Sequence, residues 1–252
     1  MLFGRRFTPA ISTRENTPLR CVFVRIELML LDFLFPRRCL GCGQWGQYFC
    51  EKCINTLKQI EKQICPVCKK PAIGGKTHPR CQTKYSLDGL TSIFIYEGII
   101  KEAIGKLKYK FITDLAEELI DLALPNIKSS TIYHKSAILI PVPLHPRRQR
   151  WRGFNQAELL GKMLADKFGW QVQTDILRRH KHTKPQIKLK GRERRKNIRG
   201  AFEIKPNPKF KIINLKFIIF DDVWTTGSTL RECGQVLKRA GAKGVWGLTL
   251  AR

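Results

Sequence analysis

The chain has 252 residues, of which 43% are hydrophobic, so it can bury a substantial core and does not belong to the disordered, low-hydrophobicity class. Lysine and arginine number 47 against 20 acidic residues, and this formal charge of +27 favours polyanionic partners such as nucleic acids, phosphorylated compounds or an anionic membrane surface. No segment approaches the roughly 18 consecutive apolar residues of a membrane span, and the first residues lack the apolar centre of a secretory signal, so we expect a cytoplasmic protein.

The first segment, residues 1–26, is basic and has no periodic pattern. It is predicted either to be disordered or to precede a true start at Met29, which opens the stretch MLLDFLFPRRC. Residues 27–35 have the apolar pattern of a short helix that ends at Pro36.

Seven of the nine cysteines fall in the next segment, which has few apolar runs and needs another source of stability. They form three C-x2-C pairs, and a fourth pair has the form H-x2-C; the eight donors are Cys39, Cys42, Cys50, Cys53, Cys65, Cys68, His78 and Cys81. Because zinc takes four nitrogen or sulphur ligands, these donors predict two structural zinc ions. The first two pairs are expected to share one ion and the last two the other, although spacing also allows the first pair to join the third.

From Leu87 onward the sequence alternates between apolar strand patterns and helical patterns. Strands are predicted at 91–96, 137–143, 216–222 and 244–251, and helices at 97–108, 113–124, 154–169 and 228–242. Such alternation predicts an α/β domain with a parallel sheet. The predicted division is a helix and double zinc ribbon at 27–86 and an α/β domain at 87–252, with residues 180–199 basic and irregular.

The stretch FIIFDDVWTTGST, residues 217–229, joins an apolar strand to two aspartates and a loop of small hydroxyl residues. Ligands of open α/β sheets bind outside the carboxyl ends of the strands, so Asp221 and Asp222 are expected at a ligand site. A helix is predicted to begin near Ser228, and its first amide groups attract anions, while Gly227 lets the backbone approach them. The loop therefore suits a phosphate, and the carboxylates suit vicinal hydroxyls or a magnesium ion.

This stretch resembles the phosphoribosyl pyrophosphate (PRPP) motif of type I phosphoribosyltransferases. The stretches IPVPLHPRRQRWRGFNQAELL and RRHKHTKPQIKLKGRERRKNIRGAF, with the earlier LLDFLFPRRCLGCG, resemble the ComF family over residues 28–252. The resemblance implies a type I phosphoribosyltransferase-like parallel sheet with flanking helices, preceded by a small zinc-ribbon module. It also implies an enzyme that transfers a phosphoribosyl group to an acceptor.

The resemblance assigns roles to individual residues. Asp221 and Asp222 contact the ribose hydroxyls, directly or through magnesium, and are the expected catalytic residues. The 5-phosphate is expected to be bound by Thr225, Thr226, Gly227, Ser228 and Thr229. The pyrophosphate is expected near Pro141, Val142, Pro143 and Arg152, the last of which begins the RGFNQ segment, residues 152–156. Several purine-salvage enzymes have an aspartate at the position of Thr225 that assists the incoming base, so the acceptor here is not predicted.

Two basic clusters indicate a second kind of partner. Residues 178–199 contain eleven lysines or arginines and one acid, and they suit either a cover over the pyrophosphate, a nucleic-acid contact or a solvated face. Residues 147–152 surround Trp151 with four arginines, a combination that suits single strands.

The family's link to natural competence implies a role in DNA uptake. Single-stranded DNA and competence helicase proteins are then the expected partners, in the cytoplasm or at the inner face of the membrane. The alternative is a phosphoribosyltransferase of nucleotide salvage with no role in DNA handling.

Overall fold

The structure is a computed structural model, and it describes residues 37–108, 112–130, 132, 138–181, 191–206 and 210–252. The basic segment 1–26, the predicted helix 27–35 and the alternative start at Met29 lie outside these residues. So does the middle of the basic block 178–199. Among the described residues, no helix is both long enough and apolar enough to span a membrane.

The centre of the molecule is a five-stranded parallel sheet with the strand order β1-β7-β6-β2-β3. A separate antiparallel pair is formed by β4 and β5. The strands are β1 Gly89–Phe94, β2 Ile138–Pro141, β3 Gln171–Val172, β4 Leu177–Arg179, β5 Phe202–Ile204, β6 Lys216–Val223 and β7 Gly244–Ala251. The predicted parallel α/β sheet is therefore confirmed.

Helices cover both faces of this sheet. They are α1 Glu51–Ile54, α2 Gly98–Leu107, α3 Thr113–Lys128, α4 Pro146–Arg152, α5 Gln156–Phe168, α6 Gly191–Ile198 and α7 Ser228–Arg239. Apolar side chains of α2, α3 and α5 form one core against the sheet, and those of α6, α7 and the β4–β5 pair form a second core on the other face.

Strand β6 lies between β7 and β2 and is apolar on both faces, as a central parallel strand must be. Phe217 and Ile219 pack into the core beneath α7, whereas Ile218 and Phe220 pack into the core beneath α2 and α5. Because side chains alternate along a strand, the next residue, Asp221, continues the α7 face. Its neighbour Asp222 continues the α2 face. The two adjacent carboxylates thus begin on opposite sides of the sheet.

The prediction of an irregular segment at 180–199 is wrong for its last part, where α6 begins at Gly191. Arginine, lysine and glutamate have high helix propensity, and the lack of apolar periodicity hid the helix from a pattern-based prediction. Ile198 anchors α6 by packing into the core beneath α7. Sequence patterns also missed the two-residue strand β3 and the short helix α4, which begins at Pro146.

The cysteine-rich segment packs along the outer edge of β1. The amide of Ile60 donates to the carbonyl of Ile93 at 2.8 Å, and the side-chain amide of Gln63 bonds both the N–H and the C=O of Ser92. Glu118 of α3 accepts hydrogen bonds from the consecutive amides of Tyr48 and Phe49, which directly precede Cys50. The predicted boundary between a zinc-ribbon module and an α/β domain at residues 86 and 87 stays a prediction. These hydrogen bonds cross it, so the two parts are packed together.

Candidate functional site

The eight predicted metal donors form two compact groups. Within each group the donor atoms lie within 4.8 Å of one another, and the groups follow chain order. The first consists of Cys39, Cys42, Cys50 and Cys53, and the second of Cys65, Cys68, His78 and Cys81. The first donor pair therefore lies with the second, and the third with the fourth. The crossed arrangement, in which the first pair would join the third, is not observed.

The chemistry of both groups fits structural zinc. Burial raises the pKa of the Cys39 thiol, but amide donors from Cys50, Cys42 and Gly41 outweigh it and lower that pKa to about 6. The neighbouring Cys39 sulphur in turn raises the pKa of Cys53 to about 12, so a metal cation is needed for all four sulphurs to be thiolates. In the second group the Nε2 atom of His78 lies 3.0 Å from the carbonyl of Pro71. A proton on Nε2 leaves Nδ1 free to bind metal, in the usual arrangement of a metal-binding histidine. Four protein donors leave no open position for catalysis.

A second feature is a cleft of about 840 Å³ at the carboxyl edge of the sheet. The ends of β1 and β6 contribute to it, as do the loop after β2, helix α4 and the start of α7. The adjacent aspartates and the loop that follows them lie in its wall, at the position where open α/β sheets bind ligands.

The two aspartates have different surroundings within the cleft. Asp222 forms an ion pair with Lys108, whose ammonium lies 3.0 Å from the carboxylate. Asp221 faces the other side, where Arg179 and the buried thiol of Cys233 are near enough to interact with its charge. Burial and the negative charge of Asp222 raise the pKa of Asp221 well above its usual value.

Magnesium does not fit this pair as a direct bridging ion. Asp222 already has a cation, the Lys108 ammonium, at contact distance, so a magnesium ion bound directly to this carboxylate would lie beside a like charge. The carboxylate of each aspartate also accepts the amide of the following residue, Asp222 or Val223. These bonds fix the side chains at the strand end, where they can accept hydrogen bonds from hydroxyl groups.

The loop from Trp224 to Ser228 is tightly built. Gly227 has φ of 73°, and a Cβ there would lie 2.0 Å from the ring of Trp224, so only glycine is compatible with this packing. The hydroxyls of Thr226 and Ser228 bond each other at 2.8 Å. Arg231, on the first turn of α7, donates to the carbonyls of Thr226 and Gly227 and so ties the loop to the helix.

The opposite wall is crowded with positive charge. Burial and the charge of Arg152 lower the pKa of Arg148. Burial and the charge of Arg148 lower the pKa of Arg179 to about 10. Burial is the larger cause of both shifts, and repulsion between neighbouring arginines is the smaller one, which an anion bound between them would relieve. Trp151, in the same wall, is 71% exposed.

Most of the residues predicted to contact PRPP come together here. Those that line the cleft are Val142, Arg152, Asp221, Asp222, Thr225, Gly227, Ser228 and Thr229. Three others do not line it. Pro141 is buried in β2 opposite Phe220, Pro143 follows Val142 outside the lining, and the Thr226 hydroxyl bonds within the loop.

Several residues of the cleft were missed by the sequence patterns. Tyr96 follows β1, and Lys101, Gly105 and Lys108 belong to the face and end of α2. No motif identifies these residues, because they lie more than 100 positions before the aspartates in the sequence and only the fold brings them into the same cleft. The basic composition of the stretch GIIKEAIGKLKYK was the one available signal.

Comparisons with known proteins agree with the architecture. The double zinc ribbon domain family matches residues 30–82 of this chain. This match covers every residue of the two metal-donor groups. The zinc-ribbon prediction is therefore confirmed, and the described structure supplies its two donor sets.

Sequence similarity to known proteins extends over most of the chain. The DNA utilization protein YhgH of Salmonella typhimurium is 32% identical over 212 residues, which cover 81% of this chain and 88% of the relative. Competence protein F of Haemophilus influenzae is 32% identical over 217 residues, with 84% of each chain covered. Competence protein ComFC of Bacillus subtilis is 28% identical over 221 residues, with 81% and 83% covered.

Proposed function

The chain belongs to the ComF family, and from this we propose that it acts in the uptake or use of DNA and that its cleft binds PRPP or another phosphorylated ribose. The names of the relatives, a DNA utilization protein and two competence proteins, support the first part. The second part rests on the cleft. There, paired carboxylates, a glycine-dependent loop at a helix start and a wall of arginines meet at the carboxyl edge of a parallel sheet.

Each part of the cleft has a task in this proposal. The loop 225–229 binds the 5-phosphate through amide and hydroxyl donors at the start of α7. Asp221 and Asp222 accept hydrogen bonds from the ribose hydroxyls. The arginines, among them Arg152, hold the pyrophosphate, and magnesium accompanies the ligand as its counter-ion. Donors of this kind stabilise the negative charge that a leaving pyrophosphate acquires.

Transfer of the phosphoribosyl group would break the bond between the anomeric carbon and the pyrophosphate, and an acceptor would form the new bond. Thr225 offers no carboxylate to assist such an acceptor. The proposal therefore concerns binding of the sugar phosphate, and transfer to an acceptor would be a further step.

Titration calorimetry with PRPP and magnesium tests the binding. The wild-type protein should bind, and the double variant Asp221→Asn/Asp222→Asn should bind at least about tenfold more weakly, since each good hydrogen bond to a charged group contributes about 1.5–3 kcal/mol. Asp166→Asn is the matched control, because Asp166 is exposed on α5 and does not line the cleft. Failure of the wild type to bind would refute the proposed ligand.

Single-stranded DNA is the proposed macromolecular partner, and helix α4 is its proposed contact. This helix presents Trp151 and neighbouring arginines at the surface, and an exposed aromatic among cations suits stacked bases and a phosphate backbone. We expect the affinity for an oligonucleotide to fall roughly 10- to 100-fold between 50 and 200 mM salt, as it does when a few phosphates are neutralised.

Fluorescence anisotropy with a labelled oligonucleotide measures this dependence. The double variant Arg147→Gln/Arg150→Gln should weaken binding and flatten the salt slope. The matched control, Lys52→Gln/Lys128→Gln, removes two exposed cations elsewhere on the surface. Binding of PRPP without any DNA binding would favour the alternative, a phosphoribosyltransferase of nucleotide salvage.

A further inference from the structure

Lys108 is the residue immediately after helix α2, and it extends into the cleft. Its ammonium lies 3.0 Å from a carboxylate oxygen of Asp222. The side chains of Lys108 and Asp222 are only 22% and 14% exposed, so the pair is largely shielded from solvent. A shielded ion pair in a ligand cleft differs from a surface pair, because its charges are weakly screened and its geometry is fixed.

The surroundings keep Lys108 charged. Burial alone would lower its pKa, but the negative charge of Asp222 and its hydrogen bond to the ammonium outweigh burial and raise it. The carboxyl end of α2 adds the negative end of a helix dipole. The carboxylate of Asp222 and the end of α2 therefore both favour its protonated form.

This arrangement bears on how Asp222 can meet a ligand. A divalent ion bound directly to Asp222 would lie beside the Lys108 ammonium and be repelled by it. The hydroxyl of a sugar carries no charge, so it can donate to a free lone pair of the same carboxylate while the ion pair stays intact.

We infer that Lys108 neutralises Asp222 in place of a metal ion, so that Asp222 accepts a sugar hydroxyl directly and the acid pair needs no magnesium to bind ribose. Lys108 is then a positioning residue that acts through Asp222. This inference rests on the proposed function, because it concerns the same cleft and the same class of ligand. It separates two tasks: the acid pair recognises ribose without metal, and magnesium serves only the pyrophosphate.

Ribose 5-phosphate is the appropriate probe, since it has the diol and the 5-phosphate but no pyrophosphate. Calorimetric titrations are made in buffer freed of magnesium by a resin rather than by a soluble chelator, which would also extract zinc. The wild type should bind ribose 5-phosphate with the same Kd, within twofold, with and without magnesium. Lys108→Met should bind at least tenfold more weakly without magnesium and regain part of that affinity when magnesium is added.

Three further variants distinguish positioning from general damage. Lys108→Arg retains a cation and should bind nearly as the wild type does. Lys106→Met, the matched control on the same helix, removes an exposed lysine that pairs with Glu102 and should change nothing. The double variant Lys108→Met/Asp222→Asn leaves no lone charge and should bind no more weakly than Asp222→Asn alone, because the lysine acts through the carboxylate.

The outcomes separate the inference from the function on which it rests. Equal affinities of Lys108→Met and the wild type in both buffers would overturn the inference. So would a wild type that binds PRPP but needs magnesium to bind ribose 5-phosphate, or a double variant with fully additive losses. A wild type that binds neither compound would overturn the proposed function, and the inference with it.

Discussion

At the scale of single residues, the two aspartates at the end of β6 show what the sequence can predict about a site and what it cannot. Their position was predictable, because an apolar strand followed by polar residues places them at the carboxyl edge of a parallel sheet. Their unequal surroundings were not. Asp222 pairs with Lys108 of a distant segment, and Asp221 lies near Arg179 and Cys233 on the opposite face.

The raised pKa of Asp221 predicts a specific pH dependence of stability. In the unfolded chain an aspartate titrates near pH 4, and in the folded protein it titrates at a higher pH. Between these two values the unfolded state releases its proton first, so the free energy of unfolding falls as the pH rises. Asp221 thus destabilises the ligand-free fold at neutral pH.

We therefore expect Asp221→Asn to raise the free energy of unfolding at pH 7.5 by about 0.5–2 kcal/mol, the usual range for relief of a strained functional site. Urea unfolding of both proteins at pH 5, 6.5 and 8, with zinc present, checks this. The gain should grow with pH above about 4. A gain that is constant with pH would show that the carboxylate charge is not its source.

At the scale of elements, the turn from β6 into α7 depends on one glycine. The sequence predicted a glycine that lets the backbone approach an anion. The structure adds a steric reason, since the ring of Trp224 occupies the space where a Cβ at Gly227 would lie. The helix α6 in the basic block was harder to predict, because contacts with a distant segment stabilise it. Ile198 packs into the core beneath α7, and the Gly200 amide donates a hydrogen bond to Glu232 of α7.

Gly227→Ala should both destabilise the protein and weaken PRPP binding. The positive φ and the clash with Trp224 together cost about 1–3 kcal/mol. Thermal unfolding and calorimetric titration measure the two effects. Gly105→Ala is the control for stability, because Gly105 lies within α2 with open space around it, and alanine there should stabilise by up to about 1 kcal/mol. Equal stabilities of the two variants would contradict the steric explanation.

Arg231 connects two of these elements. It bonds the carbonyls of Thr226 and Gly227, and its third nitrogen lies 3.5 Å from the carbonyl of Val67, between two zinc-binding cysteines. Arg231 therefore links the loop proposed to bind phosphate to the turn that carries Cys65 and Cys68. No sequence pattern indicated this contact, because it depends on how the cysteine-rich segment packs against α7.

At the scale of the whole molecule, the metal sites explain how a segment with few apolar residues keeps a fixed shape. Cysteine spacing predicted two ions but allowed two ways of pairing the donors, and the structure shows the pairing in chain order. Each pairing predicts a different zinc content for Cys39→Ser/Cys53→Ser. In the observed arrangement this variant loses one site and should retain about one zinc per chain, since both substitutions affect the same group.

Elemental analysis of the purified variant gives the number directly. The comparison variant Cys39→Ser/Cys81→Ser removes one donor from each observed group and should lose most of both ions. In the crossed arrangement Cys39→Ser/Cys53→Ser would damage both sites as well. Loss of both ions from Cys39→Ser/Cys53→Ser would therefore contradict the observed grouping.

The contact between the cysteine-rich segment and β1 also affects solubility. An outer strand with unpaired N–H and C=O groups is a template on which another molecule can add a strand, and proteins avoid aggregation by covering such edges. Here the cover is the stretch around Lys58 and Ile60, which bonds the backbone of Ile95 and Ile93 and lies between the two zinc loops. Because this cover lies between the two metal-donor groups, metal binding is linked to the protection of the β1 edge against intermolecular β-pairing.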